Sequence, residues 1–219
     1  MSAVSGLPGE VRVVDHVPQA FAALVADASP TSIGLSGGDL ARHCYELLAV
    51  ADVQWGEVDV YFSDERWVPV SDPDSNEGMA RWAFLDTVSP REIYSLREAG
   101  ETIEKAAVAY DELVRSSPPI ELLHLGLGPD GHTASLFPGT SAVDERERLV
   151  IPNGDDLHPH PRLTFTFPAI ARSPLVVVTV EGEDKRDPIR RIRAGEDLPG
   201  ARLRAADQLI WLADEAALG

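Results

Sequence analysis

Short apolar runs rich in β-branched residues alternate along this chain with segments that suit helices, and this alternation constrains its fold more than any other feature. The runs cover residues 11–14, 32–35, 58–62, 122–125, 163–167, 175–180 and 208–212. Several are almost continuously apolar, as a strand must be when both of its faces are covered. Between them, residues 18–28, 39–50, 76–85, 101–115 and 188–193 read as helices. Pro18 and Pro188 suit a first helical turn, where the missing N–H has no partner to lose, and Ser75 is placed to cap the helix after it. Alternation of this kind predicts an α/β fold with a mainly parallel, Rossmann-like sheet flanked by helices on both faces. No internal repeat and no linker-like stretch divides the 219 residues, so a single domain over 1–219 is expected.

Charge narrows the partners. Acidic residues number 36 against 19 lysines and arginines, a formal net charge of −17. Such a surface disfavours nucleic acid and anionic membrane, because binding either needs clustered positive charge. A small anionic substrate is still admissible: cations in a cleft act at contact, while charges beyond about 8 Å are damped at physiological salt. Cys44 is the only cysteine, which excludes an internal disulfide and a thiolate metal cluster. Residues 1–10 hold neither an apolar run nor a basic flank, and no stretch approaches the roughly 18 apolar residues of a membrane span. A cytoplasmic protein is expected, with no nucleic acid and no membrane as partner.

In open α/β sheets ligands bind where the carboxyl ends of strands meet loops, and four such junctions are rich in polar residues. The first is the turn Ser36-Gly37-Gly38-Asp39, whose glycines let backbone N–H groups approach an anion at a helix N-terminus. Taken alone it is equally a plain strand-to-helix turn capped by Asp39; as an anion cradle it needs Asp39 turned away. The second, Ser63-Asp64-Glu65-Arg66-Trp67 with Ser75 and Asn76 beyond it, reads as a cleft edge or as a solvated loop with an Asp–Arg pair.

The third is the sharpest: Gly126-Leu127-Gly128-Pro129-Asp130-Gly131-His132-Thr133-Ala134-Ser135-Leu136-Phe137-Pro138. Its glycines allow a tight path that brings Asp130 and His132 to the strand end, where a histidine suits general-base work and a carboxylate can orient its ring. A histidine held structurally in a turn is the alternative. Ser135 lacks a Gly-x-Ser-x-Gly elbow and is expected to pack or cap. The fourth junction pairs Arg162, opening the 163–167 run, with Lys185, following the 175–180 run; together they suit one anion, and singly each reads as a solvated cation. Asp155, Asp156, His158 and His160 form a carboxylate/His cluster, but the His-Pro-His-Pro order matches neither helical nor hairpin ligand spacing, so no metal is expected.

Taken in order, these blocks resemble the 6-phosphogluconolactonase family, a branch of a fold group that includes glucosamine-6-phosphate deaminase. The resemblance rests on Ser36-Gly37-Gly38, on Asp64-Glu65-Arg66 with Ser75-Asn76, on the 126–138 loop, on Pro161-Arg162-Leu163-Thr164-Phe165-Thr166, and on Gly182 with Lys185. His132-Thr133-Ala134-Ser135-Leu136-Phe137-Pro138 favours the lactonase branch, since deaminases diverge after the Gly-His pair. This chain departs from the pattern at Asp39-Leu40, where relatives often carry Ser or Gly before Thr-Pro. It departs again at Glu77, where an aromatic is common, and at His158 and His160 in the approach to Arg162. The resemblance implies a monomeric, cofactor-free hydrolase of a sugar-phosphate lactone. It implies that Ser36, Gly37, Gly38, Arg162 and Lys185 hold the phosphate and that His132 is the base, tuned by Asp130. Arg66 then faces the carbonyl oxygen, and Asp64 partners sugar hydroxyls or Arg66. The alternatives are a deaminase-like sugar-phosphate isomerase and a non-catalytic sugar-phosphate sensor.

Overall fold

A computed structural model describes residues 6–154 and 156–219. The chain runs β1 (Glu10–Val13), α1 (Val17–Ala28), β2 (Ser32–Leu35), α2 (Asp39–Leu48), β3 (Asp59–Phe62), β4 (Asp64–Arg66) and α3 (Asn76–Ala80). A π-turn over Arg81–Leu85 and a last turn, α4 (Asp86–Val88), extend α3. Then follow β5 (Glu92–Ile93), α5 (Ile103–Ser116), β6 (Leu122–Gly126), β7 (Val150–Asn153), β8 (Arg162–Phe165) and α6 (Phe167–Ile170). The chain closes with β9 (Leu175–Val180), α7 (Arg186–Arg193), β10 (Gln208–Ala213) and α8 (Glu215–Leu218).

Seven strands form a parallel sheet in the order β1-β10-β9-β6-β2-β3-β5. From β1 through β2 and β3 to β5 the chain steps one way across it; from β5 through β6 and β9 to β10 it steps back. Right-handed crossovers then place α1, α2 and α3 on one face and α5 and α7 on the other. Packing agrees, with α1 against α2, α2 against the π-turn, and α7 against α8. The reversal lies between β2 and β6, which are neighbours, and a crevice opens beyond their carboxyl ends. The central strands are buried on both faces, which is why their sequences read as unbroken apolar runs.

The predicted strand over 163–167 lies elsewhere. It is β8, at the centre of a second, antiparallel sheet in the order β4-β8-β7. Neither partner carries a strand signature. β4 is Asp-Glu-Arg, read from sequence as a polar turn, and β7 ends in Pro152-Asn153. Pairing, rather than propensity, makes them strands. The predicted cap fares better. Ser75 Oγ accepts from the Gly78 N–H, and Thr102, not singled out from sequence, accepts likewise from the Lys105 N–H.

Candidate active site

β6 ends in the glycine-rich loop, and the loop folds back on itself. The Gly128 N–H donates to the His132 carbonyl at 2.8 Å, and the Gly131 N–H to Gly128 at 3.0 Å. Gly131 has φ +86, which favours glycine. At Gly128 the requirement is space, because a Cβ there would lie 2.1 Å from His132 Cε1. Asp130 Oδ1 sits 2.6 Å from His132 Nδ1 and also accepts the His132 backbone N–H at 3.0 Å. Burial raises the Asp130 carboxyl, but the hydrogen bond and charge of His132 outweigh it and bring it down to about 2. A carboxylate can only accept, so Nδ1 carries a ring proton, and in the neutral tautomer the free lone pair is on Nε2. The ring lies edge-on to Phe137 and His158, which are themselves stacked at 4.0 Å.

Across the crevice, the antiparallel pairing of β4 and β8 sets Arg66 directly opposite Arg162. Arg162 is 6% exposed, donates to the Pro159 carbonyl at 3.2 Å, and keeps its buried Nε without a partner. Burial and the neighbouring Arg66 charge lower its pKa, against the opposing pull of Asp64, Glu65 and Asp74. Two adjacent guanidiniums with an unspent donor have the chemistry to receive an anion. Arg66 is held by Asn76 Oδ1 and by the Asp74 carbonyl at 3.2 Å.

Glu65 organises this wall. Its buried carboxylate accepts from Ser75 Oγ and from the backbone N–H groups of Arg66, Asn76 and Glu77 at 2.7–2.9 Å. Burial raises its pKa against those four bonds. Asp64, also buried, accepts from Ser135 Oγ at 2.6 Å and from Asn76 Nδ2 at 3.4 Å. Its expected pairing with Arg66 is absent among the described residues, because Asn76 stands between them and bonds to both. Ser135, expected to pack or cap, instead holds this carboxylate.

The turn after β2 completes the floor. Gly38 has φ +101 and is itself the N-cap of α2. Asp39 therefore enters the first helical turn instead of capping, and this exposed residue stands at the cleft's edge. Gly37 permits the close approach of Asn76, whose Oδ1 would lie 1.9 Å from a Cβ. Lys185, after β9, faces the same cleft with its Nζ 3.2 Å from Asp184. The cleft holds about 310 Å³ and is lined by Ser36, Gly37, Gly38, Asp64, Arg66, His132, Arg162 and Lys185, so residues more than a hundred positions apart converge. Asp130 joins them through His132.

Of the possible metal cluster near 155–160, Asp155 lies outside the described residues, and His160 pairs with Asp74 at 3.0 Å. His158 instead approaches Asp130 and His132, the three offering ligand atoms within 4.8 Å of one another. A metal there would occupy the imidazole that a base needs. Sequence reasoning passed over the roles of Asn76, Glu65 and Ser135, although all three fall inside the motif blocks. It also missed His124, signalled only by a lone imidazole in the apolar run of β6.

The model of the glucosamine-6-phosphate isomerase/6-phosphogluconolactonase family matches residues 10–211. The chain belongs to this family. A 6-phosphogluconolactonase of Synechocystis is 38% identical over 207 residues, covering 88% of this chain and 85% of that protein. The crystal structure of a 6-phosphogluconolactonase from Thermotoga maritima superposes with a TM-score of 0.82 at 25% identity, over 94% of this chain and 99% of that one. A monomeric glucosamine-6-phosphate deaminase shares the fold with a TM-score of 0.79 at 19% identity, over 94% and 97% of the two chains. No helix among the described residues is long and apolar enough to cross a membrane.

Proposed function

We propose that this protein hydrolyses 6-phospho-D-glucono-1,5-lactone to 6-phospho-D-gluconate, the second step of the oxidative pentose phosphate pathway, as a cytoplasmic monomer. One observation carries the reading: an oriented His132–Asp130 pair faces the Arg66–Arg162 pair across a single cleft. A base alone serves many reactions. Opposed to two cations, it suits an anionic substrate with a carbonyl to be attacked.

In this reading the N–H groups of the Ser36–Gly37–Gly38 turn, with Arg162 and Lys185, hold the 6-phosphate and fix the sugar over the glycine-rich loop. His132 Nε2 takes a proton from the attacking water, and the ionised Asp130 stabilises the imidazolium that results. Arg66 lies where negative charge grows on the carbonyl oxygen, an electrostatic contribution of the kind that dominates acyl chemistry. When the tetrahedral intermediate collapses, the bond from C1 to the ring oxygen breaks. His132 returns its proton to that oxygen, leaving a hydroxyl and a carboxylic acid that releases its proton to solvent as the carboxylate. Asp64, oriented by Ser135 and Asn76, is in place for a sugar hydroxyl.

The test is to generate the lactone in situ and follow its loss with and without protein, subtracting spontaneous hydrolysis. Acceleration that persists in a chelator and is far weaker on unphosphorylated gluconolactone supports the reading. No acceleration, or ammonia release from glucosamine-6-phosphate, overturns it.

A further inference from the structure

In the cleft floor, where His124 and Thr179 are among the lining residues, lies a polar chain that the hydrolysis scheme does not use. His124 of β6 is fully buried, and its ring is packed 4.1 Å from that of Phe21. Its Nδ1 lies 2.9 Å from Tyr45 Oη and its Nε2 2.9 Å from Thr179 Oγ1. Tyr45 Oη in turn accepts the Ser36 N–H at 2.7 Å and lies 3.1 Å from the Ser36 carbonyl. Three buried polar side chains where α2 packs on the central strands cost stability unless every one is satisfied. Here they are, and they end on the backbone of the glycine turn.

We propose that Tyr45, His124 and Thr179 form a positioning relay that fixes the Ser36–Gly38 turn as a phosphate cradle. The inference deepens the lactonase reading and rests on it.

Counting protons gives the relay its direction. Burial pushes the His124 imidazole down to about 3, so it is neutral and holds a single N–H. If Nδ1 carries that proton, it donates to Tyr45 Oη, whose own proton goes to the Ser36 carbonyl, while Thr179 donates to Nε2. Every group is then paired, and one phenol grips both polar groups of Ser36. If Nε2 carries it instead, Tyr45 must donate to Nδ1 and the Ser36 carbonyl loses its donor. The first ordering satisfies more buried groups.

Placement explains why this grip bears on an anion. Tyr45 lies on α2, so the helix reaches back to the turn that starts it. Thr179 lies near the end of β9, six residues before Lys185. The relay therefore joins β2, β6 and β9 where the two phosphate-holding segments leave the sheet. Without it, the Ser36 peptide is free to rotate and its neighbours' N–H groups lose their common aim.

Tyr45→Phe tests this, because the ring packing against Phe84 is kept and only the hydroxyl is lost. We expect about a tenfold rise in KM for the lactone, from one lost hydrogen-bond network, with kcat changed far less. The inhibition constant for inorganic phosphate should rise in parallel. Thr179→Val, which retains side-chain shape, should move both constants in the same direction by less. A purely structural role would lower the melting temperature and the yield of active protein while leaving the phosphate constant alone, and that outcome overturns the proposal. Should Tyr45→Phe not fold, Thr179→Val decides on the same readouts. If the wild-type chain fails to hydrolyse the lactone, the lactonase reading falls. Phosphate affinity measured by calorimetry then judges the relay, and equal affinity in wild type and variants overturns it.

Discussion

A general base needs a ring nitrogen with a free lone pair, and Asp130, accepting from His132 Nδ1 at 2.6 Å, fixes the tautomer in which that nitrogen is Nε2. His132→Ala should therefore lower kcat by about 10²- to 10⁴-fold, the usual contribution of a positioned general base. Substrate affinity should change little, and single-turnover kinetics would separate the two; unchanged turnover would remove the base assignment. Lys185 belongs to the other half of the site. Among the described residues it pairs with Asp184, a largely exposed carboxylate, which leaves its charge open to an anionic substrate. Lys185→Ala should raise KM for the lactone several-fold and spare kcat, and an unaltered KM would count against a phosphate contact.

At the scale of elements, the glycine-rich loop is shaped as much by what is missing as by what is present. Gly128→Ala would drive a methyl into the His132 ring, which Asp130, Phe137 and His158 hold from other sides. Misplacing a reacting group by an ångström costs up to about 10²-fold in rate, so turnover should fall steeply while the melting temperature stays near that of the wild type. Full activity in Gly128→Ala would show that the ring has room to yield. This loop was legible in the sequence because its chemistry is local: glycines, carboxylate and imidazole fall within a few residues. The parallel strands were legible for a similar reason, since burial on both faces writes itself as an apolar run. β4 was not. Its Asp64 and Glu65 are buried only because Ser135, Ser75 and the amides at the start of α3 meet them, and those partners lie 10–71 residues away. The Tyr45–His124 contact, 79 residues apart, is hidden in the same way.

For the molecule as a whole, burial of one imidazole sets how stability responds to acid. His124 is held at about 3 against an ordinary 6.5, so the folded state resists a proton that the unfolded chain accepts. The stability this confers is complete above pH 6.5 and is lost as pH falls toward 3. Asp130 and Glu145, each lowered to about 2, add a second loss below the ordinary carboxylate range. Thermal melts between pH 7 and pH 5 should show a falling midpoint in the wild type and a flatter dependence in His124→Gln. Parallel slopes would mean that other groups take up the protons.

The pairing of β1 with β10 carries a consequence for how the chain is made. Glu10 aligns with Ile210, so β1 must await the synthesis of β10 before it has its neighbour in the sheet. At cellular rates of about 5–20 residues per second, that wait is roughly 10–40 s. Throughout it, α1 and β2 can fold onto later strands while the leading strand trails unpaired. The β1–β10 seam therefore joins after the other strands of this sheet have been made, and a nascent chain stalled short of residue 208 would carry its glycine-rich loop and still leave β1 without its neighbour.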